Sequence, residues 1–177
     1  MRWKPGDRRA DIPSMIRVDQ AGEYGATRIY AGQLAVMGDR HDMARAISGM
    51  ANQEERHRAF FDALIADRGV RPTALQRVWI VAGFALGAAT AALGPAAAMA
   101  CTAAVETEID LHYQEQLAAL GSSDPVLSDA VAEFRAEELE HRDSALAAGA
   151  ETPPPYPLLA GAIRLACKAA IAVSKRI

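Results

Sequence analysis

The sequence predicts an all-α protein: a four-helix bundle with an apolar crossover helix between its halves and an extra helix at the C-terminus. Three observations predict it. The chain has 177 residues and is 51% hydrophobic but only 6% aromatic and rich in alanine. That balance favours helix over sheet, and the length suits one domain, 1–177, with a buried core. A pattern of acids and histidines then occurs twice. Between the two copies lies a long stretch, Val78 through Val105, without a single charge.

The first copy is Glu23, then Glu54 with His57; the second is Glu106, then Glu138 with His141. The Glu-to-Glu spacing is 31 in one and 32 in the other. Neighbours repeat as well: Tyr30, Gln33, Leu34 and Ala35 follow Glu23 at the offsets at which Tyr113, Gln116, Leu117 and Ala118 follow Glu106. His57 precedes Arg58, and His141 precedes Arg142.

The elements follow in order. Residues 1–13 form a basic arm with Arg2, Lys4, Arg8 and Arg9. Ser14 is a suitable cap for a first helix running to about Gly38. A second runs from about His41 to Arg68, where Gly69 stops it. Its apolar seam is Met43, Ile47, Met50, Phe61 and Leu64, and the positions it skips are 54 and 57. Glu54 and His57 thus stand where a plain bundle has Leu or Ile. The crossover helix is expected from about Pro72 to Leu93, presenting Trp79, Ile80, Phe84, Leu86 and Leu93 to an apolar partner. Length alone makes 78–105 a membrane-span candidate. Gly94-Pro95 should break it, however, and one span would put the two half-sites on opposite sides of a bilayer. The fourth helix is expected from about Pro95 to Leu120, with Met99, Ala103, Glu106, Tyr113, Leu117 and Leu120 on one face. Asp124-Pro125 caps the fifth, whose seam is Leu127, Val131, Phe134, Glu138, His141 and Ala145. Pro153-Pro154-Pro155 is a rigid break. After it, within 153–177, Tyr156 to Ile177 reads as a last apolar helix with interleaved basic residues. It can pack on the bundle, lie in a membrane interface, or do both.

A net charge of −3 gives no general attraction to nucleic acid. Arg164, Lys168, Lys175 and Arg176 make the C-terminus basic like the N-terminus, so the ends are either contacts for an anionic lipid surface or solvated tails. Cys101 and Cys167 form no CxxC and read as small buried residues, consistent with a reducing compartment. No signal peptide is evident.

Four carboxylates on the inner face of a bundle repel unless they are neutralised. Two divalent ions balance four glutamates, with both histidines neutral. Glu and His three apart share one side of a helix. Two single glutamates with two Glu-x-x-His pairs is the pattern of di-iron and di-manganese bundles of the ferritin type. Oxygen and imidazole donors without thiolate argue for iron or manganese. The predicted ligands are therefore Glu23, Glu54, His57, Glu106, Glu138 and His141. Glu55, Glu115, Glu133 and Glu140 fall off the inward seams. Glu137 stands four before His141, but the first copy has Gln53 there, so only the three-residue spacing is shared. Glu108 points away from Glu106. Tyr30 and Tyr113 lie two turns beyond the first Glu of each copy. Each is a core tyrosine, which suits Tyr30 better, or a hydrogen-bond or electron-relay group. His112 either assists Tyr113 or is a surface histidine.

Several segments resemble the demethoxyubiquinone hydroxylases: Asp19-Gln20-Ala21-Gly22-Glu23-Tyr24-Gly25-Ala26, the Glu54-to-His57 element, Ala104-Val105-Glu106 with His112-Tyr113, and Glu137-Glu138-Leu139-Glu140-His141. The likeness runs from about Met15 to the C-terminus. Gln20 stands where that family often has His, and Thr107 where a second Glu is common; neither is a proposed ligand. The resemblance implies a ferritin-like monooxygenase of ubiquinone biosynthesis that holds two iron ions. It would use dioxygen to hydroxylate the ring of a polyprenylated 6-methoxy-3-methyl benzoquinol. It implies NADH or the quinol as electron source, with Tyr113 and His112 as relay groups. It implies a peripheral membrane protein, on the cytoplasmic face of the cell membrane if bacterial. The polyprenyl tail would leave along residues 78–93 and the last helix. A lipid-presenting partner and a homo-oligomer stay open. The rivals are an iron oxidase or peroxidase of the same fold and a membrane scaffold that metals merely stabilise. A storage cage has no use for a long uncharged crossover, and a rubrerythrin-type peroxidase normally adds a Cys-rich iron domain.

Overall fold

The computed structural model describes residues 10–38, 42–150 and 156–177. They form an all-α, ferritin-like helical bundle, and no strand occurs among the described residues. The helices are α1 (Ile12–Met37), α2 (Asp42–Arg68), α3 (Gln76–Ala92), α4 (Pro95–Leu120), α5 (Pro125–Ala145) and α6 (Tyr156–Ser174). A short π-helical segment, Leu146–Ala150, extends α5. The arm residues 1–9 and the three prolines at 153–155 lie outside the described residues.

α1 packs on α2 and α4 on α5, and the two pairs meet through α1 with α4 and α2 with α5. Along α2 the seam passes from Ile47 and Met50 through Glu54 and His57 to Phe61 and Leu64, all buried. The acids and histidines thus lie between two apolar layers. Tyr30, Ile47, Met50 and Met99 belong to one layer, and Phe61, Tyr113, Leu127 and Phe134 to the other.

Helix starts follow local chemistry. α1 begins before Ser14: the Asp11 carboxylate accepts the Ser14 backbone N–H at 3.2 Å, and Pro13 sits in the first turn. Asp caps as well as Ser, and proline suits the first turn, so the earlier start wins. The Ser14 hydroxyl instead donates to the Lys175 carbonyl at 3.1 Å, tying α1 to the end of α6. Asp124 caps α5 as predicted, accepting from Leu127 N–H at 3.1 Å. It also takes the Arg68 guanidinium, joining the end of α2 to the start of α5. α3 starts at Gln76, later than Pro72, because Thr73 Oγ1 accepts the Leu75 N–H at 3.3 Å and its carbonyl accepts from Gln76, closing a turn there.

The uncharged stretch breaks where expected. Gly94 takes φ 118°, a conformation that strains any side chain, and Pro95 opens α4. The residues from Ala97 to Glu106 are then wholly buried. α3 lies along α1, and its closest approach is through glycine and not through its large apolar residues. Gly83 and Gly87 face the α1 backbone: a Cβ on Gly83 would stand 2.7 Å from the Gly25 carbonyl oxygen, and one on Gly87 would overlap that of Ile29. Phe84 lies under the Arg28 guanidinium, 5.1 Å from ring centroid to carbon.

α6 covers α4 and α1 with Ile163 and Ser174 buried. Among the described residues it alone is long and apolar enough to cross a membrane. Leu158 and Leu165, exposed by 82% and 70%, point outward. Two of its basic residues are not free for lipid: Arg164 bonds the buried Glu108, and Lys168 lies 3.8 Å from the same carboxylate. A buried carboxylate recruits the nearest cations, which composition alone does not reveal. Cys101 and Cys167 are free thiols. Burial pushes them up to about 12 and about 11.

Candidate metal centre

All six predicted ligands are buried and converge. Donor atoms of Glu23, Glu54, His57 and Glu138 lie within 4.8 Å of one another, and so do those of Glu54, Glu106, Glu138 and His141. The groups share Glu54 and Glu138. The two acids of the Glu-x-x-His pairs would therefore serve both of two ions, while Glu23 and Glu106 would each serve one. Both imidazoles point Nδ1 inward. His57 Nδ1 stands 3.3 Å from Glu138 and 3.6 Å from Glu23, and His141 Nδ1 is 3.1 Å from both Glu54 and Glu138.

Burial, and then the neighbouring carboxylates, push Glu54 well above its ordinary pKa. Burial and the Glu138 charge do the same for Glu106. Glu138 also rises through burial, although His57 opposes the shift. Burial pulls His57 down, but Glu138 and Glu23 outweigh it and raise it to about 10. His141 moves down, first through burial, with the charge of His57 adding to it. Six inward atoms have no hydrogen-bond partner: Glu23 Oε2, both oxygens of Glu54, His57 Nδ1, Glu106 Oε2 and Glu138 Oε1. Buried polar atoms are normally paired. Orphaned acceptors gathered at one point, from carboxylate and imidazole, fit a pair of hard to borderline divalent ions.

The two tyrosines cross between the copies. Tyr113 O–H donates to Glu23 Oε1 at 2.7 Å, and Tyr30 O–H donates to Glu106 Oε1 at 2.6 Å. Each holds one oxygen of a single glutamate and leaves the other for an ion. Tyr30 is thus more than core filling. The repeat of its offset was the available signal, but periodicity names a face, not the partner across the bundle. His112 does not join the cluster: its Nε2 lies 3.1 Å from Asp19 Oδ1, beside a second cavity of about 350 Å³.

Each histidine also has an outer partner. His57 Nε2 is 2.7 Å from Glu137 Oε2, and His141 Nε2 is 2.8 Å from Gln53 Oε1. Glu137 is therefore neither inward nor solvated. Burial pushes it up, but His57 and Arg56 outweigh that and hold it below the ordinary range. Glu55, Glu115, Glu133 and Glu140 are exposed, as predicted. Glu108 is turned to α6. Gln20 bonds Asp62 and Thr107 the Ala103 carbonyl, so both departures from the resembled pattern stay outside the cluster.

Beside the centre, an apolar cavity of about 190 Å³ runs between α1, α3, α4 and α6. Trp79, Leu86, Ile109, Ile163 and Ile171 are among its walls, and none of the six candidate ligands is. Gly22 and Val105, chain neighbours of Glu23 and Glu106, line it, so it flanks the centre.

The model of a family described as "Ubiquinone biosynthesis protein COQ7" matches residues 10–174. The chain belongs to this family. Among its members, the 3-demethoxyubiquinol 3-hydroxylase of Rhodospirillum rubrum is 53% identical over 175 residues, 98% of this chain and 82% of the relative. The mitochondrial NADPH-dependent 3-demethoxyubiquinone 3-hydroxylase of Mus musculus is 49% identical, covering 95% of this chain and 79% of the relative. The 5-demethoxyubiquinone hydroxylase of Saccharomyces cerevisiae is 39% identical at the same two coverages.

Proposed function

We propose that the chain is a di-iron monooxygenase that hydroxylates the ring of a polyprenylated demethoxyubiquinol with dioxygen, in ubiquinone biosynthesis. The observation that carries this is the pair of overlapping donor groups sharing Glu54 and Glu138. The names of the relatives supply the substrate class. Glu23, Glu54, His57 and Glu138 would hold one iron, and Glu54, Glu106, Glu138 and His141 the other. Bound there, the iron pair supplies dioxygen reduction and transfer of one oxygen atom to the ring. The other oxygen leaves as water, which takes two electrons and two protons: both of each from a quinol, or a hydride from NADH with one further proton from solvent.

The chain's own residues set the conditions. Burial keeps bulk water from the six donors and strengthens their fields. Tyr30 and Tyr113 orient Glu106 and Glu23. Tyr113, on a ligand, is the better candidate for relay; His112, held by Asp19, is a further step out. The cavity walls from α3 and α6 support the reading that the tail lies there, with the ring toward Glu23 and Glu106. The outward Leu158 and Leu165, with the exposed Lys175 and Arg176 beyond the far end of the helix, support docking of α6 on a lipid surface. The chain acts as one domain at a membrane surface, on the cytoplasmic face of the cell membrane if its source is a bacterium.

The test loads metal-free protein with Fe(II) and supplies a short-chain demethoxyquinol and oxygen. A product heavier by one oxygen atom, drawn from labelled dioxygen, is expected. A fully loaded protein that forms none rules out the hydroxylase.

A further inference from the structure

The centre repeats itself almost atom for atom. Glu23 answers to Glu106, Glu54 to Glu138, His57 to His141 and Tyr30 to Tyr113. The positions behind the histidines break the match. His57 Nε2 meets the carboxylate of Glu137 at 2.7 Å, whereas His141 Nε2 meets the amide oxygen of Gln53 at 2.8 Å. Glu137 and Gln53 occupy the same place in the two copies, four residues before a histidine. Glu137 is further held by both oxygens to Arg56 at 3.0 Å, while the residue answering to Arg56 in the second copy is Glu140, which is exposed. A second departure, Phe134 stacked on His57 with centroids 4.1 Å apart, adds contact but no charge.

A carboxylate that accepts the outer N–H of an imidazole makes its inner nitrogen a stronger donor, and a neutral amide does so less. We infer that Glu137 makes the two positions of the centre unequal, so that the one at His57 binds its metal ion first and more tightly. Glu137 is a positioning and polarising residue that touches no ion itself. The inference rests on the proposed two-metal reading and adds an order of filling to it.

The experiment uses the full chain, stripped of metal and handled without oxygen. One equivalent of Fe(II) is added, the occupied position is read by anomalous diffraction at the iron edge, and stepwise constants come from chelator competition. Wild-type protein should fill the His57 position first. Glu137→Gln keeps the size and the acceptor; it should weaken that position by roughly 10–100-fold and bring the two constants together. Gln53→Glu should tighten the His141 position instead. The double exchange, Gln53→Glu with Glu137→Gln, should reverse the order of filling. Equal constants in the wild type, an order unchanged by the double exchange, or Glu137→Gln leaving the constants apart overturns the inference while leaving a two-metal centre standing. Failure of either position to take up iron overturns both.

Discussion

The α1–α2 and α4–α5 pairs carry the same inner face on differently built outer faces. α1 is covered by α3 through glycine, backbone against backbone. α4 is covered by α6 through side chains: Ile163 in the core and Arg164 on Glu108. Matching inner faces are what two ions of one kind would require of their donors. The outer faces were free to diverge, and each took the shape of what it covers. Function is therefore symmetric at the centre and asymmetric around it.

The sharpest way to break the comparison is to remove the shared ligands. Glu54→Ala and Glu138→Ala should each lose both ions and drop hydroxylation to background, as read by iron content and product mass. Glu23→Ala and Glu106→Ala should each spoil one position and retain part of the iron. Unequal results for Glu54 and Glu138 would mean that one of them does not bridge.

The tyrosines separate structure from chemistry. Tyr30→Phe and Tyr113→Phe each unpair a buried carboxylate oxygen, at a cost of about 1.5–3 kcal/mol in the denaturant-unfolding free energy of each variant. If Tyr113 also relays, its variant alone should lose turnover with iron content unchanged. Equal turnover in both variants rejects the relay.

Gly87→Ala tests the outer faces. Its methyl would strike the Ile29 carbonyl, so about 1–3 kcal/mol should be lost to overpacking. Gly161→Ala on α6 meets nothing within 4 Å and should be neutral or gain roughly 0.5–1 kcal/mol from helix propensity.

The smallest effect is a pH trend in metal-free protein. Glu54, Glu106 and Glu138 have folded pKa values raised above an unfolded value of 4.5. Their contribution to stability is present below that value and lost as pH rises through the folded ones. His57 acts in the same sense, from 6.5 up to about 10. His141, shifted down, opposes them. Metal-free protein should therefore melt lower at pH 8 than at pH 5.5, and iron should remove most of the trend. A melting point that rises with pH in metal-free protein contradicts these shifts.

The centre and the bundle were legible because their signals are local and repeated. Glu54 and His57 interrupt an apolar seam, and Glu138 and His141 interrupt another. Helix ends marked by Gly94-Pro95 and Asp124-Pro125 were equally plain. What lay hidden depends on the angle between elements. Nothing along the chain says that Tyr30 reaches Glu106, that Glu137 stands behind His57, or that Arg164 is drawn to Glu108. Gly83 and Gly87 did stand one turn apart. In an alanine-rich helix that spacing says little until the neighbouring backbone is in place. Asp11 and Ser14 were both competent caps, and Pro13 between them favours the earlier one.

The glycine seam also decides which wall of the apolar cavity can yield. At Gly83 and Gly87 main chain meets main chain with no side chain to give way, so α1 and α3 have little room to slide there. α6 is fastened across the same cavity by Ile163, the Trp79–Ser174 and Ser14–Lys175 hydrogen bonds and the Glu108 ion pairs. These are separate fastenings that release one at a time. If a long apolar molecule enters this cavity, α6 is the wall whose fastenings can open one by one, and α3 on α1 is the wall that holds its place.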